Sequence, residues 1–405
     1  MTTNAALTAD AAKTPEATLR EVVEALAPIE RLAGSDGERE AAEWIADRLG
    51  KAGVEAKVEE EAYREGFAGP LAALAAGAAA AGLASLHRRG RPLGAAVGAA
   101  SAALIADDVS NGPRLMRRAA GQEKKTWNVV AEIGPADAER TLVLLAHHDA
   151  ARTGRIFHQG GLKLLGAKVP GLIERRDTSL PMWWPVIAGP LMVAAGAVSG
   201  RRGVAAAGSA LSAGAAAALA DIQRSEVVPG ANDNLSAVAV LVAVAEALRD
   251  EPVSGVRVVL ASCGAEEVLQ GGIHAFAARH LTTMDRERTW VLNLDTVGSP
   301  ELCLLEGEGE VVMEDFFDRG WRDLIARVAD REGIPMRRGM RSRASTDSVV
   351  PSRMKIPTAC LVSIDENKGL SNYHWPTDTP ENLKYPTVAC AADLAIAVAR
   401  ELAPR

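Results

Sequence analysis

The alternation of apolar and polar positions predicts an α/β protein. Apolar residues at helical spacing follow Thr14-Pro15, where Thr14 is the expected N-cap and Pro15 lies in the first turn. Ser35 and Glu38 have the spacing of a capping box, which predicts the start of a second helix. Further along the chain, short apolar runs alternate with helical patterns. This order favours a mixed, largely parallel sheet covered by helices on both faces.

Six segments have the length and apolar character of strands. They lie at 54–59, 127–133, 141–146, 256–262, 290–294 and 358–363. We expect the second and third of these to form an antiparallel pair across Gly134-Pro135. Helices with apolar faces are predicted at 235–248 and 388–402.

Two stretches depart from this pattern because they consist almost entirely of Ala, Gly and other apolar residues. The first, 70–106, is broken by His87–Arg91, and the second, 181–220, is broken by Gly200–Gly203. Each predicts a helical hairpin. The predicted organisation is one discontinuous α/β domain with two hairpin insertions. The domain comprises 14–68, 110–175 and 221–405, and the insertions are 69–109 and 176–220.

The sequence leaves the environment of the hairpins open. Their arms are near the length that spans a bilayer, and small residues recur at four-residue spacing, as in Gly94 with Gly98 and Gly208 with Ser212. Trp183-Trp184 is typical of a membrane interface. However, Ala is a weak membrane residue, and Ala-rich helices also form soluble caps and homo-oligomer interfaces. We therefore expect a membrane-associated protein, with a soluble cytoplasmic protein as the alternative, and the flanking arginines do not settle its orientation.

Composition excludes some partners and compartments. The formal net charge of -7 argues against nucleic-acid binding. Four scattered cysteines form no CxxC motif, which favours a reducing compartment over a disulfide framework. The segment Met1–Asp10 has neither a basic region nor a long apolar core, so no signal peptide is predicted there.

Polar residues with metal-binding side chains follow several of the predicted strands or precede a helix. They occur in His147-His148-Asp149, Gly230–Asn234, Glu266-Glu267, Asp295 and Tyr373-His374. Imidazole and carboxylate ligands together suit zinc or a similar divalent ion. Five ligands, one of them bridging, suit two ions about 3.5–4 Å apart. Which of the two adjacent histidines is the ligand stays open, and we expect His158, His274 and His280 to be structural.

The same motifs resemble the co-catalytic dizinc exopeptidases of metallopeptidase family twenty-eight, which includes bacterial leucyl aminopeptidases and glutamate carboxypeptidases. The resemblance covers roughly residues 14–68, 110–160 and 221–405 and says nothing about the hairpins. The matching segments appear in the family's order. They are Arg31–Ser35, Ala146–Asp149, Gly230–Asn234, Gly264–Glu267, Asn293–Asp295 and Tyr373–Asn382.

The resemblance implies a role for each residue of the motifs. His147 and Asp295 would hold one zinc ion, Glu267 and His374 the other, and Asp233 would bridge both. In addition, three residues would assist the reaction. Glu266 would be the general base, Asp149 would orient His147, and Tyr373 would stabilise the tetrahedral intermediate.

The expected function is a dizinc aminopeptidase acting on peptides. A carboxypeptidase or other amide hydrolase, a one-metal glutaminyl cyclase and a membrane-anchored scaffold with a vestigial site stay open as alternatives. Two features depart from the family: the second hairpin lies between His147 and Asp233, and a Ser-Asp-His-like segment reads Thr346-Asp347-Ser348. A basic run with Arg337, Arg338, Arg341 and Arg343 is interpreted as a solvated face, with a substrate-carboxylate site as the alternative.

Overall fold

The computed structural model describes residues 13–404, so the prediction made for Met1–Asp10 lies outside the described residues. Within them, nine strands form one mixed sheet. The strands are β1 Ala56–Arg64, β2 Glu123–Ile133, β3 Arg140–His147, β4 Val256–Cys263, β5 Thr289–Leu294, β6 Glu301–Glu308, β7 Glu314–Asp315, β8 Arg337–Ser342 and β9 Thr358–Ile364.

The sheet has a parallel centre and antiparallel flanks. Its order is β1-β2-β4-β3-β5-β9-β6-β7, with β8 paired to β6. Strands β4, β3, β5 and β9 run parallel, whereas β2 and β6 border them antiparallel. The predicted pairing of β2 with β3 is wrong, because β4 lies between them and bonds antiparallel to β2 and parallel to β3.

Helices cover both faces of the sheet, which confirms the predicted three-layer α/β/α arrangement. The helices of the described residues are α1 Glu16–Leu26, α2 Asp36–Lys51, α3 Gly69–Ser85, α4 Arg91–Val109, α5 Leu115–Ala120, α6 Gly160–Lys168, α7 Pro170–Glu174, α8 Trp184–Ser199, α9 Arg202–Arg224, α10 Ser236–Asp250, α11 Gly271–Phe276, α12 Arg319–Glu332, α13 Val349–Arg353 and α14 Tyr385–Glu401. Successive side chains of β3 point to opposite faces of the sheet: Leu142 and Leu144 belong to the core shared with α1, α2, α10, α12 and α14, while Val143 and Leu145 belong to the core shared with α11 and α13.

Two predicted helix starts differ from the structure. The N-cap of α1 is Pro15 rather than Thr14, whose hydroxyl instead donates to Asp393 at 2.7 Å. Ser35 does cap α2 by accepting from the backbone N–H of Glu38 at 3.2 Å. The Glu38 carboxylate, however, does not reach back to Ser35. It is buried and accepts hydrogen bonds from the backbone N–H of Gly34 at 2.8 Å, the hydroxyl of Thr126 in β2 and the backbone N–H of Ala265, so these contacts replace half of the predicted capping box.

The two hairpins pack against each other as one four-helix bundle of α3, α4, α8 and α9. Both hairpin tips lie at the same end, since Arg91 donates to the carbonyl of Gly200 at 3.2 Å. The tips carry Arg88, Arg89, Arg91, Arg201 and Arg202. Between the tips and the sheet, no charged residue occurs in 69–86, 92–106, 178–200 or 203–220. The outer surface of the bundle is therefore apolar or neutral along most of its length.

Three helices of the described residues are long and apolar enough to cross a membrane by length and composition. They are Arg88–Val109, Arg202–Arg224 and Ala231–Asp250. The third is 89% buried and belongs to the core beside the sheet, whereas the first two are mostly exposed members of the bundle. Shorter apolar helices, Gly69–Ser85 and Trp184–Ser199, complete the bundle.

Glycines at the helix contacts allow the bundle backbones to approach closely. A Cβ added at Gly98 would lie 2.8 Å from both the amide nitrogen of Ala194 and the carbonyl oxygen of Pro190. One added at Gly208 would lie 2.6 Å from the amide nitrogen of Val193. Such backbone contacts cannot yield as side chains do. The four-residue spacing of small residues noted in the sequence thus falls on the helix interfaces.

A pair of Gly→Ala variants tests this packing. Gly98→Ala should lower the free energy of unfolding by about 1–3 kcal/mol, because the methyl group meets backbone atoms. Gly77→Ala is the control: its Cβ would meet no atom within 4 Å. It should leave stability unchanged or raise it by about 0.5–1 kcal/mol through helix propensity. Thermal unfolding of both variants under identical conditions is the measurement, and equal midpoints would contradict the packing described.

Candidate metal centre

The metal-binding side chains predicted from the sequence converge at the carboxyl ends of the central strands. His147 is the last residue of β3, Glu267 follows β4 in a turn, and Asp295 follows β5 directly. Asp233 lies in the turn before α10, and His374 lies in the loop after β9. Parallel strands end at a common edge of the sheet, which brings residues distant in sequence into one site.

Asp233 lies between two imidazoles. Its Oδ1 is 3.3 Å from His147 Nε2, and its Oδ2 is 3.2 Å from His374 Nε2. Glu267 Oε2 lies 3.0 Å from the same His374 nitrogen. Two groups of metal-binding atoms result, His147–Asp233–Asp295 and Asp233–Glu267–His374, each with its atoms within 4.8 Å of one another. Asp233 belongs to both groups.

The chemistry of this donor set fits two divalent cations. Burial raises the pKa of Asp295 to about 7, and burial together with the carboxylates of Asp347 and Glu267 raises the pKa of Glu266 well above its usual range. Moreover, Glu267 Oε1 is buried without a hydrogen-bond partner among the described residues. Like charges at these separations repel unless cations or protons separate them, and zinc accepts both donor types.

The structure distinguishes His147 from His148. Nε2 of His147 faces Asp233, and although burial opposes it, Asp149 and Asp233 raise the pKa of His147 well above its usual value. His148, the residue directly after β3, points to the opposite face of the sheet from His147. There, His148 Nδ1 lies 2.9 Å from Ser262 Oγ, and burial lowers the pKa of His148 to about 4. Of the two histidines, His147 is therefore the one positioned to bind a metal ion together with Asp233 and Asp295.

Side-chain oxygens accept a hydrogen bond from each backbone N–H of the turn Gly264–Glu267, which carries the two glutamates. The amides of Gly264 and Ala265 donate to Asn128 Oδ1 at 3.1 Å and to Glu38 Oε1 at 2.7 Å. The next two amides, of Glu266 and Glu267, donate to the two carboxylate oxygens of Asp149, each at 3.0 Å. Asp149 Oδ1 also lies 3.4 Å from His147 Nδ1, a close contact that is longer than a normal hydrogen bond. Asp149 thus contacts the predicted ligand and fixes the neighbouring turn.

Asp378 has a similar role for the turn of Asp233. Its carboxylate accepts from the amides of Asn232 at 2.8 Å and Asp233 at 3.1 Å. The peptide bond between Asp233 and Asn234 is cis. Sequence reasoning placed Asp378 inside a motif but assigned it no role. The motif residue Arg31 was likewise unassigned, and its buried guanidinium donates to the carbonyls of His148 at 2.8 Å and Pro229 at 2.7 Å.

Glu266 and Tyr373 lie beside the ligands without joining either group. Glu266 is buried, and its Oε1 accepts from Gln270 Nε2 at 2.9 Å. The ring of Tyr373 stacks on His374 with centroids 3.8 Å apart. The segment Thr346-Asp347-Ser348, which differs from the family's pattern, also lies near the centre, because the charge of Asp347 raises the pKa of Glu266. Asp347 is buried, and neither of its carboxylate oxygens has a hydrogen-bond partner among the described residues.

The remaining histidines lie outside both metal-binding groups. Ring atoms of His274 and His280 lie 3.2 Å from Asn111 Oδ1 and 2.8 Å from Glu59 Oε2, and the His158 ring packs 5.2 Å from that of Trp375. The four arginines of the basic run lie on or just after edge strand β8. Three of them pair with acidic residues, and the fourth lies over the ring of Trp184. These contacts are Arg337–Glu301, Arg338–Glu306, Arg341–Asp315 and Arg343–Trp184.

Two cavities meet at the metal centre. The first, of about 440 Å³, has charged side chains in its wall, including Glu65, Lys124 and Arg152. The second, of about 380 Å³, is lined mainly by apolar residues of the bundle and reaches Glu266 and Tyr373. Glu267 and His374 line both cavities. A substrate bound across the metal centre can therefore extend in two directions.

Comparison with known proteins supports the resemblance to metallopeptidase family twenty-eight. The model of Peptidase family M28 matches residues 216–399, a segment that includes Asp233, Glu267, Asp295 and His374. The match does not reach His147 or Asp149, which lie N-terminal to it. No curated protein matches the chain in sequence.

Solved structures share the fold at low identity. An aminopeptidase from Aneurinibacillus sp. strain AM-1 superposes with a TM-score of 0.56 at 15% identity, covering 97% of this chain and 95% of that one. A leucine aminopeptidase precursor from Bacteroides thetaiotaomicron gives 0.54 at 13% identity, with 96% and 98% covered. A glutaminyl cyclase from the same species, bound to N-acetylhistamine, gives 0.55 at 14% identity, with 96% and 99% covered.

The fold is therefore the α/β fold shared by these aminopeptidases and glutaminyl cyclases. The resemblance to metallopeptidase family twenty-eight is confirmed, and the family match together with the shared fold supports a metal-dependent peptidase.

The electrostatics of the centre predict how pH affects the metal-free protein. Burial raises the pKa values of Asp295 and Asp378 from 3.8 to about 7, and nearby carboxylates outweigh burial to raise that of His374 from 6.5 to about 10. As pH rises, the unfolded chain therefore loses protons that the folded protein still binds. This happens at the two carboxyl groups between about pH 4 and pH 7, and at the imidazole between about pH 6.5 and pH 10. Stability should fall as pH rises through this range, roughly from pH 4 to pH 10.

Thermal unfolding of chelator-treated protein at pH 6 and pH 9 measures this effect. We expect the lower midpoint at pH 9, and we expect added zinc to raise the midpoint more at pH 9 than at pH 6. A metal-free protein that is more stable at pH 9 would contradict the electrostatic description of the centre.

Proposed function

We propose that the protein is a dizinc aminopeptidase that removes N-terminal residues from peptides. The observation that supports this proposal most strongly is the position of Asp233, shared by two groups of three metal-binding residues. Glu266 lies beside both groups but belongs to neither, which suits a base that gains and loses a proton. Likeness to two aminopeptidase structures agrees with this assignment.

The protein residues divide the work of hydrolysis. Two zinc ions bound by these groups would supply the Lewis acidity that activates a water molecule and polarises the scissile carbonyl. Glu266 accepts the proton of that water and passes it to the departing amine. The Tyr373 hydroxyl donates a hydrogen bond to the oxygen that becomes negatively charged. Asp149 keeps His147 oriented and holds the turn of Glu266 and Glu267 in place.

Replacing the base tests this division. Glu266→Gln should retain both metal ions, because no ligand is lost, and should lower kcat by a factor of at least about 10². The measurements are metal content per chain and hydrolysis of leucyl peptides. Glu60→Gln, an exposed residue of β1 remote from the site, is the control and should behave as wild type. Full activity in Glu266→Gln would contradict the proposed role.

The likeness to glutaminyl cyclases supports a second candidate function, cyclisation of N-terminal glutamine. Peptides that begin with Gln separate the two candidates, since a cyclase releases ammonia and leaves the peptide bond intact. A carboxypeptidase would instead cleave N-blocked peptides and spare C-blocked ones. The complete second group of ligands, with His147 and Asp295, favours the dizinc aminopeptidase.

We also propose that the four-helix bundle is embedded in a lipid bilayer. Its helices lack charged residues over the stretches between tip and sheet, and large apolar side chains face outward. The exposed fractions are 58% for Leu83, 54% for Leu93 and 52% for Leu191. A soluble bundle would present charged side chains on this surface. The arginines at the tips and the tryptophans at the base, including Trp184, suit the two polar borders of a membrane.

Fractionation of cells tests the membrane proposal. The full chain should stay in the membrane pellet after an alkaline carbonate wash and should need detergent for release. Leu191→Glu should reduce the pelleted fraction, because an acidic residue within the bilayer costs roughly 2.5–3.5 kcal/mol. Ala17→Glu, on exposed α1 surface, is the control. Release of the wild-type protein by carbonate would indicate a soluble cap or an oligomer interface instead.

A further inference from the structure

The apolar cavity at the metal centre continues along the four-helix bundle. It begins at Glu266, Glu267 and His374 and follows one face of α9 to Ala210. From Ala210 to Ile222, both in its wall, the helix rises about 18 Å at 1.5 Å per residue. That length corresponds to about five residues of extended peptide. The cavity is therefore a groove much longer than one side chain requires.

The walls of the groove are apolar or small over most of this length. On α9, Ala210, Gly214 and Ala218 recur at four-residue spacing and form a shallow furrow. Met182 and Trp183, which directly precede α8, also line the groove. Apart from the glutamates at the metal centre, Glu310 is the carboxylate in the wall, and among the cavity-lining residues there is no lysine or arginine.

The groove also enters the uncharged part of the bundle. Its far residue, Ala210, lies eight positions after Arg202 at the tip, near the middle of the stretch 203–220. A ligand that fills the groove would lie partly within the apolar layer proposed for the bilayer. Its end at the metal centre meets Glu267, whose Oε1 has no hydrogen-bond partner among the described residues.

We infer that the groove binds the leaving-group side of a peptide substrate, over about five apolar residues, and that substrates reach it from the bilayer. The inference rests on the proposed aminopeptidase function and, for the route from the bilayer, on the proposed membrane embedding of the bundle. An enzyme that removes one N-terminal residue has only that residue on the other side of the scissile bond, so a groove of this length fits the remaining chain. The more polar cavity near Glu65 and Arg152 is left for the N-terminal residue.

The substrate test uses the full chain in lipid nanodiscs. Three peptides share an N-terminal Leu-Ala: the dipeptide amide, a hexapeptide amide continuing with Leu-Val-Leu-Ala, and one continuing with Ser-Thr-Ser-Gln. We expect kcat/KM for the apolar hexapeptide to exceed that for the polar one by about tenfold or more, in line with apolar discrimination in enzyme pockets. Equal values would overturn the inference, as would faster cleavage of a fatty-acyl amide than of either peptide.

A matched pair of variants on α9 locates the effect. Gly214 lines the groove, and a Cβ added there meets no atom within 4 Å, so Gly214→Leu should fold. This variant should raise KM for the apolar hexapeptide about tenfold, a larger effect than on the dipeptide amide, whose short leaving group fills only the metal end of the groove. The adjacent Ala213 is exposed and lies outside the groove wall, and Ala213→Leu should change neither. Equal effects of the two variants would overturn the inference.

The dipeptide amide separates the two proposals. If the wild-type protein cleaves it without any preference between the hexapeptides, the groove inference fails while the aminopeptidase function stands. If it is not cleaved, the aminopeptidase function fails. Binding of a fluorescent apolar hexapeptide to Glu266→Gln, with and without Gly214→Leu, then still tests the groove. A Kd unaffected by Gly214→Leu would overturn it.

Discussion

The constraint on which this structure depends is the burial of several carboxylates around one point. Asp233 has carboxylate oxygens within 4.8 Å of potential ligand atoms of both histidines, Asp295 lies as close to His147, and Glu267 lies as close to His374. Asp149 lies beside His147, and the charges of His147 and Glu267 act on Glu266. Such charges repel strongly in a medium of low dielectric constant, so the folded state needs cations or protons there. The surrounding residues make the arrangement rigid. The carboxylates of Asp149, Glu38 and Asp378 accept hydrogen bonds from backbone N–H groups of the turns that carry the metal-binding residues. These bonds hold the turns in place, so the buried carboxylates cannot easily move apart.

Much of this centre could be predicted because it follows from local signals. Apolar runs marked the parallel strands, and their carboxyl ends had to meet at one edge, which brought His147, Glu267 and Asp295 together. The choice of His147 over His148 required knowing which face of the sheet each side chain occupies. The pairing of β2 with β3 was wrong because β4, more than a hundred residues later, lies between them. No local pattern carries that information. Likewise, Glu38 has capping-box spacing, but its carboxylate is used by Ala265.

The hairpins show the same limit more strongly. Composition indicated four apolar helices and left membrane, cap and oligomer interface open. It did not indicate that the two hairpins, separated in sequence by the strands β2 and β3, pack into one bundle whose tips meet at Arg91 and Gly200. Nor did it connect α9 to the metal centre. That connection depends on the base of the bundle, where Trp183 packs against Phe67 with ring centroids 6.2 Å apart and both line the groove to Glu266.

Whether two metal ions share Asp233 can be measured with an anomalous-difference map at the zinc absorption edge from crystals of zinc-loaded protein. We expect two peaks about 3.5–4 Å apart, both in contact with the Asp233 carboxylate. One should also contact His147 and Asp295, and the other Glu267 and His374. A single fully occupied peak at Glu267 and His374, with His147 and Asp295 free of metal, would contradict this expectation.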